Sequence, residues 1–368
     1  MNVMNTPITT ATMPVSPPCP NPDPTFQTRL SARWHPSTAE IVPKVRQYIV
    51  QNWPWSSEES KRRYLTGNAE DGVMYAFPGV KNDRIEAVTT WLALHFLIDD
   101  YILESVSDSA ASGLDPGKKK EAIQRLFGIM RRLVRPNVNN PVEVMVDHVA
   151  SSFLSCSSED EVAQRHARQI LESTIQFITA AENGDGKATA MGDLNSYLAY
   201  RMVEAGVFLS LDLAFWGGEI YIPSHISNDP QIRSFFKLVS DHLVLVNDIY
   251  SYKVEQDRSE GVGGAFNAVS VLMRSKHVDA QDAMGIIKTQ LTTLEEATLE
   301  EAAVLRDRYA EKGEEEEVVD KMIQTILEMM AGNCEWSKFC GRYNSSPVSD
   351  EASVGTDRAL EQGTTSLS

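Results

Sequence analysis

The chain has 368 residues, a hydrophobic fraction of 42% and a formal net charge of −17, from 34 basic and 51 acidic residues. This length suits one large helical domain or two ordinary ones. The negative net charge argues against nucleic-acid binding and provides no general attraction for an anionic substrate, which would need local cations. The sequence contains no run of about 18 apolar residues, so no membrane span is predicted.

The first 33 residues are rich in proline, serine, threonine and asparagine, which predicts a flexible tail because such a segment buries little apolar surface. These residues lack the basic region and following apolar core of a secretory signal, so none is predicted. The four cysteines fit neither a CxxC metal motif nor a disulfide framework. We therefore expect free thiols in a cytoplasmic protein.

Helical periodicity begins at residues 38–52 and returns at 83–104, where an apolar run over 91–98 leads directly into Asp99. A helix this apolar is expected to be buried, so Asp99 and Glu104 should lie at the end of a core element. Neighbouring carboxylates in such a place repel one another. They stay ionised most easily when they share a cation.

Further helices are predicted over residues 118–135, 142–156 and 159–181, followed by a long apolar helix over 194–216 that carries Arg201. An arginine cannot be neutralised, so among apolar neighbours it needs a fixed anionic partner. Glu204, a more distant acid and a bound anion all remain open as that partner. Gly206 predicts a kink in the same helix.

A helix over residues 229–255 ends in the most informative stretch of the chain. Asn247, Ser251 and Glu255 are spaced four apart and therefore lie on one helix face. Amide, hydroxyl and carboxylate oxygens are hard ligands that suit Mg²⁺ better than Zn²⁺. Taken alone, the triplet could equally be a solvated polar face.

The glycine-rich segment 260–264 predicts a mobile lid beside these ligands. Helices over 266–274, 279–310 and 318–340 follow, then the pair Arg342 and Tyr343, and a serine-rich tail over 344–368 that is expected to be flexible. Helical periods without strand alternation predict an all-α domain over residues 34–343, a single bundle around a central cavity.

Four of these features resemble class I terpene synthases of the microbial type. The sequence N-D-x-x-S-x-x-x-E at 247–255 and the sequence D-D-x-x-x-E at 99–104 resemble the two metal motifs of that family. Arg201, 46 residues before Asn247, resembles its diphosphate-sensing arginine, and Arg342 with Tyr343 resembles its C-terminal pair. The four features occur in the family's order and together cover roughly residues 40–343.

The resemblance implies the class I isoprenoid-synthase fold and a carbon–oxygen lyase that uses three Mg²⁺ ions to convert farnesyl diphosphate into a cyclic sesquiterpene. It implies a monomer or homodimer, and an N-terminal segment that can fold over the closed site. Phe96 and Trp336 are expected to face the carbocation, since aromatic faces stabilise cations, although core packing is the alternative. The implied metal ligands are Asp99, Glu104, Asn247, Ser251 and Glu255, and the implied diphosphate donors are Arg201, Arg342 and Tyr343.

Two departures from the family pattern affect these expectations. Val254 occupies the place of a frequent lysine, with Lys253 one position earlier, which leaves the role of Lys253 open. The first motif is one residue longer than the commonest spacing. The alternatives are a C20 diphosphate as substrate, a chain-elongating prenyltransferase and a non-catalytic helical binding protein. A prenyltransferase would need a second aspartate-rich motif, and a binding protein would be expected to have lost some of the four features.

Overall fold

The structure is a computed structural model that describes residues 22–107, 116–157, 160–182, 192–258 and 265–344, without the side chains of 99–107, 116, 182, 203 and 258. Within these ranges the chain forms helices and no strand. The prediction of an all-α fold is confirmed. Residues 1–21 and 345–368 of the predicted tails, and the predicted lid at 260–264, lie outside the described residues.

The described helices, in chain order, are α1 (Thr38–Asn52), α2 (Glu58–Gly67), α3 (Ala69–Ala76), α4 (Ile85–Ser107), α5 (Pro116–Met130), α6 (Pro141–Ser155), α7 (Glu161–Glu182), α8 (Leu194–Glu204), α9 (Val207–Gly218), α10 (Ser224–Ser227), α11 (Pro230–Arg258), α12 (Ala268–Lys276), α13 (Ala280–Tyr309), α14 (Glu314–Phe339) and α15 (Gly341–Asn344).

Helix α11 lies in the interior of the bundle, where it packs against α8, α12, α13, α14 and α15. Most of its apolar side chains from Phe235 to Ile249 are almost completely buried, as the hydrophobic run in the sequence requires, and Phe236, Leu238 and Leu243 are partly buried. On the other side of the bundle, α4 packs against α1, α3, α6 and α7. The polar triplet of α11 therefore extends from the end of a core helix, which fixes its position.

The helix predicted over residues 194–216 is divided into α8 and α9 at Gly206. The backbone of Gly206 has φ of 69°, in the left-handed region that glycine tolerates and most other residues avoid. A Cβ added there would also lie 3.2 Å from the ring of Phe177. The kink predicted at this glycine is confirmed and amounts to a complete break, one turn after Arg201.

Residues 22–34, which we call the N-terminal strap, lie against the bundle. Phe26 is 4% exposed, and its backbone N–H donates to the hydroxyl of Tyr250 on α11. Arg33 pairs with Glu328 on α14. The prediction of a flexible tail therefore does not hold for residues 22–33, because composition does not show that Phe26 and the neighbouring polar groups find partners on distant helices.

Among the described helices, each is too short or too polar to cross a bilayer.

Candidate metal and diphosphate site

Asn247, Ser251 and Glu255 share one face of α11, as their spacing predicts. Ser251 is 5% exposed, and its hydroxyl oxygen is buried without a hydrogen-bond partner among the described residues. A buried hydroxyl without a partner is costly unless a ligand satisfies it. The Ser251 hydroxyl lies close enough to Glu255 to counter the rise of its pKa but forms no well-aligned hydrogen bond, so its oxygen fits the proposed ligand set.

Arg201 reaches this face from α8. Its Nη2 atom lies 3.1 Å from Oδ1 of Asp248 and 3.4 Å from Oδ1 of Asn247, and its Nη1 atom pairs with Glu204. Arg201 therefore pairs both with the nearby Glu204 and with a distant acid, Asp248. Its Nε is buried and makes no hydrogen bond to the described residues, which leaves one donor for an anion.

Burial works against the charge of Arg201, but Glu204 and Asp248 nevertheless hold its pKa well above the usual range. Burial raises the pKa of Asp248, and the charge of Arg201 opposes that rise. Tyr197 and the backbone N–H of Ala268 also donate to this carboxylate. Asp248 thus anchors Arg201, and α8 and α12 with it, to the ligand helix.

Glu255 is oriented by Asn267, the residue that caps α12. The side chain of Asn267 accepts a hydrogen bond from Val269 N, and its Nδ2 donates to Oε2 of Glu255 at 3.0 Å. Nδ2 donates as well to the backbone oxygen of Asp248, at 2.8 Å. Since Asn267 is fully buried, it holds the last turn of the triplet in a fixed position.

The C-terminal pair closes the site from α15. The hydroxyl of Tyr343 accepts a hydrogen bond from Asn247 Nδ2 at 2.7 Å, which joins the two motifs directly. Arg342 lies over the ring of Phe96, with its guanidinium carbon 5.0 Å from the ring centre. Arg201 contacts Asn247, and Asn247 contacts Tyr343, so the side chains of both arginines lie near this connected pair.

Phe96 and Trp336 contact each other, with ring centroids 6.0 Å apart, and Trp336 also meets the ring of Tyr343 edge-on at 5.6 Å. The indole N–H of Trp336 donates to the backbone oxygen of Asn68. The structure therefore brings both predicted pocket residues next to the C-terminal pair. Trp336 has a packing role as well, because a Cβ on Gly72 would lie 2.7 Å from its ring.

Asp99 and Glu104 lie in α4, whose backbone is described there, but their side chains are outside the described part of the structure. Asp99 follows Phe96 by three positions, a rise of about 4.5 Å along a helix. Since Phe96 contacts Arg342 and Trp336, this turn of α4 starts beside the C-terminal pair. The contribution of both carboxylates to metal binding stays a prediction.

The donors on α11 fit a hard divalent cation. All three ligand atoms are oxygens, and burial together with the charge of Asp248 raises the pKa of Glu255. A divalent ion would favour the ionised carboxylate and offset that effect. Lys253 takes no part in this face, because it is exposed and pairs with Asp257 one turn later.

Sequence reasoning did not single out Asp248 or Asn267. Asp248 follows Asn247 directly, so it points about 100° away from the ligand face, towards α8. The position of Asp248 directly after Asn247 in the motif indicated a functional role, but it did not indicate Arg201 as the partner. Asn267 gave only the signal of an asparagine before a helix, and its contact with Glu255 spans twelve residues of sequence.

A family model described as "Terpene synthase family 2, C-terminal metal binding" matches residues 90–297, which is more than half of the chain. Aristolochene synthase of Aspergillus terreus is 27% identical over 316 residues, covering 84% of this chain and 91% of that protein. Sesquiterpene synthase 6 of Postia placenta is 22% identical over 297 residues, covering 80% and 82%.

The fold is similar to solved structures. The crystal structure of aristolochene synthase from Penicillium roqueforti superposes with a TM-score of 0.70 and 23% identity, covering 85% of this chain and 98% of that one. A crystal structure of α-eudesmol synthase gives a TM-score of 0.69 at 18% identity, covering 85% and 98%. At such identities the likeness concerns the fold.

Proposed function

Because the chain belongs to terpene synthase family 2, with its metal-binding C-terminal domain, we propose that it is a cytoplasmic Mg²⁺-dependent cyclase that converts farnesyl diphosphate into a sesquiterpene. The observation that carries the proposal is the meeting of Asn247, Arg201 and Tyr343, three of the motif residues, through direct contacts. Similarity to aristolochene and sesquiterpene synthases over most of the chain supports the C15 substrate.

In this proposal Asn247, Ser251 and Glu255 bind Mg²⁺ on the side of α11, and Asp99 and Glu104 bind it on the side of α4. Three ions are expected from the family. When bound, they supply the positive charge that neutralises the leaving diphosphate. Asn267 and Asp248 keep this half of the site in place, because both are buried and fully engaged with α11 and its neighbours.

The protein's own donors act on the diphosphate from two sides. Arg201 offers its unpaired Nε and a planar fork of N–H groups, and Arg342 with Tyr343 offers donors from α15. Holding both phosphates lowers the barrier to breaking the carbon–oxygen bond. The bond's electron pair leaves with the diphosphate, and the carbon chain becomes an allyl cation.

Phe96 and Trp336 form the aromatic wall beside these donors, with Arg342 over Phe96. In our proposal their ring faces stabilise the cation by about 0.5–2 kcal/mol each. They offer no nucleophile that could trap it. The shape of this wall would then select the course of cyclisation. A double bond displaced by about 1 Å from the cationic carbon reacts far more slowly.

The proposal is tested by incubating the purified protein with Mg²⁺ and the C10, C15 and C20 isoprenyl diphosphates in turn. Released diphosphate and extracted hydrocarbons are measured, the latter by gas chromatography with mass spectrometry. We expect a cyclic C15 product and no release when a chelator removes the metal. A cyclic C20 product would shift the substrate assignment to a diterpene cyclase.

A further arm of the experiment adds isopentenyl diphosphate to each incubation. Longer linear diphosphates would identify a chain-elongating prenyltransferase instead of a cyclase. A folded protein that releases no diphosphate from any of the three substrates would contradict catalysis and favour a helical binding protein.

A further inference from the structure

Outside the proposed active site, three side chains of metal-ligand type meet in the core. They are His242 on α11, Glu295 on α13 and Cys334 on α14, and one ligand atom of each lies within 4.8 Å of the other two. Their exposed fractions are 0%, 1% and 1%. His242 precedes Asn247 by five positions, so it points about 140° away from the proposed Mg²⁺ ligands.

The donor chemistry of this cluster differs from that of the oxygen face. Imidazole nitrogen, thiolate sulfur and carboxylate oxygen are the ligands that proteins use for Zn²⁺. The Nε2 atom of His242 lies 3.2 Å from Oε1 of Glu295. Without metal the two atoms form a hydrogen bond. Two ligands held about 2.0–2.1 Å from a tetrahedral zinc ion lie roughly 3.3 Å apart, so the pair needs little displacement to bind one.

The carboxylate of Glu295 is supported by the N-terminal strap. Oε1 accepts a hydrogen bond from the Thr28 hydroxyl at 2.5 Å, and Oε2 accepts one from Arg29 N at 2.9 Å. Burial opposes ionisation, but these bonds and the one from His242 hold the pKa of Glu295 below its usual value. Metal-binding carboxylates are typically oriented by such outer hydrogen bonds.

Of the two ring nitrogens of His242, Nε2 is the one close to Glu295 and is the proposed ligand atom. Among the described residues, His242 Nδ1 is buried and has no partner. Thr28 borders the cluster on the side of the N-terminal strap, because its hydroxyl donates to Oε1 of Glu295. A glutamate and a thiolate together carry two negative charges, which one divalent ion would balance.

We propose that His242, Glu295 and Cys334 bind one Zn²⁺ ion, which fastens the N-terminal strap to α11, α13 and α14. This site is independent of the proposed Mg²⁺ site and has a structural role. The strap covers it through Thr28 and Arg29, so the ion enters when the strap lifts and holds the strap once bound.

Zn²⁺ binding at Cys334 requires loss of the thiol proton. Burial raises the pKa of the Cys334 thiol far above its ordinary value, so the thiol carries a proton when no metal is bound. Zinc binds the thiolate and therefore displaces that proton.

The test uses the full-length protein, dialysed against buffer that contains Mg²⁺ and trace Zn²⁺, with metal content measured by mass spectrometry. We expect about one zinc per chain. Co²⁺ in place of zinc should give a near-ultraviolet absorption band from thiolate to metal. Cys334→Ser should lose both signals, whereas Cys340→Ser, a matched buried cysteine near the end of α14, should keep them.

A second measurement needs no variant. Arg29 and Arg33 have side chains 58% and 52% exposed, so trypsin can cut the strap once it lifts. A zinc-selective chelator should accelerate cleavage after these two residues at least tenfold, and added Zn²⁺ should reverse the effect. Less than a tenth of a zinc per chain in the wild-type protein, or cleavage unaffected by the chelator, would overturn the proposal and leave a hydrogen-bonded cluster.

Discussion

Arg201 on α8 donates a hydrogen bond to the carboxylate of Asp248 on α11, with 3.1 Å between Nη2 and Oδ1. Asp248 is fully buried, and Tyr197 and the N–H of Ala268 occupy its other oxygen. The pair holds the guanidinium beside Asn247 before any substrate arrives. Arg201 is therefore preorganised by the same helix that carries the proposed metal ligands.

Arg201→Lys tests this arrangement. Lysine keeps the charge but loses the planar fork, so it cannot serve Glu204, Asp248 and a diphosphate together. Loss of one charge-assisted hydrogen bond corresponds to about 1.5–3 kcal/mol, and we expect kcat/KM for diphosphate release to fall about ten- to a hundredfold. Arg131→Lys, in an exposed pair with Glu172, is the control. Unchanged kcat/KM in Arg201→Lys would leave the residue with a purely structural role.

Asn247→Leu and Glu255→Leu should each reduce turnover at least about a hundredfold, because each removes a proposed ligand from the oxygen set. Both variants should keep the helical circular dichroism of the wild type. Lys253→Ala, on the exposed side of the same helix, should remain active. Near-normal turnover in either leucine variant would remove that residue from the metal site.

Asn267→Asp separates orientation of Glu255 from direct metal binding. The aspartate can still cap α12, but it loses the N–H donor to Glu255 and adds a like charge beside it. We expect the Mg²⁺ concentration for half-maximal activity to rise about ten- to a hundredfold, with a smaller change in kcat at saturating metal.

Asn140→Asp provides the matched control, because Asn140 caps α6 in the same way and also lies near a glutamate, away from the site. If both variants show the same Mg²⁺ dependence as the wild type, Asn267 acts only as a helix cap.

Phe96→Leu and Trp336→Leu should change the product mixture towards acyclic or early-quenched hydrocarbons and alcohols, while diphosphate release continues. Truncation of Trp336 to alanine should cost about 3–5 kcal/mol of unfolding free energy, since its ring packs against α3. Products are compared by gas chromatography at equal diphosphate release. An unchanged profile in both variants would mean that the rings only pack.

Asp212→Asn should stabilise the protein above pH 6. Burial raises the pKa of Asp212 from 3.8 to about 6. A raised pKa means that the stabilising contribution of the protonated form is complete below about pH 4 and is lost as the pH rises through 6. The two-unit shift corresponds to about 3 kcal/mol.

The asparagine stays neutral at every pH and can still accept the hydrogen bond from Ser173. Urea unfolding of both proteins at pH 5 and pH 8 should show the variant gaining relative stability at pH 8. A difference in unfolding free energy that is the same at both pH values would contradict the raised pKa. Asp257→Asn, on the exposed side of α11, is the control.

The sequence by itself determined the features that depend on local geometry. Apolar periods marked the helices, because a helix turns by about 100° per residue wherever it occurs in the chain. For the same reason the spacing of Asn247, Ser251 and Glu255 placed them on one face. Gly206 indicated the break between α8 and α9, since its lack of a side chain allows the left-handed backbone.

Only the tertiary structure decided which distant residues meet. Arg201 could have paired with several acids, and packing of α8 against α11 selected Asp248 together with the neighbouring Glu204. The contact of Asn267 with Glu255 and the packing of Phe26, a residue of the strap, against the bundle also follow from the arrangement of helices. Such contacts join segments far apart along the chain, and the order of residues within one segment does not specify its partners.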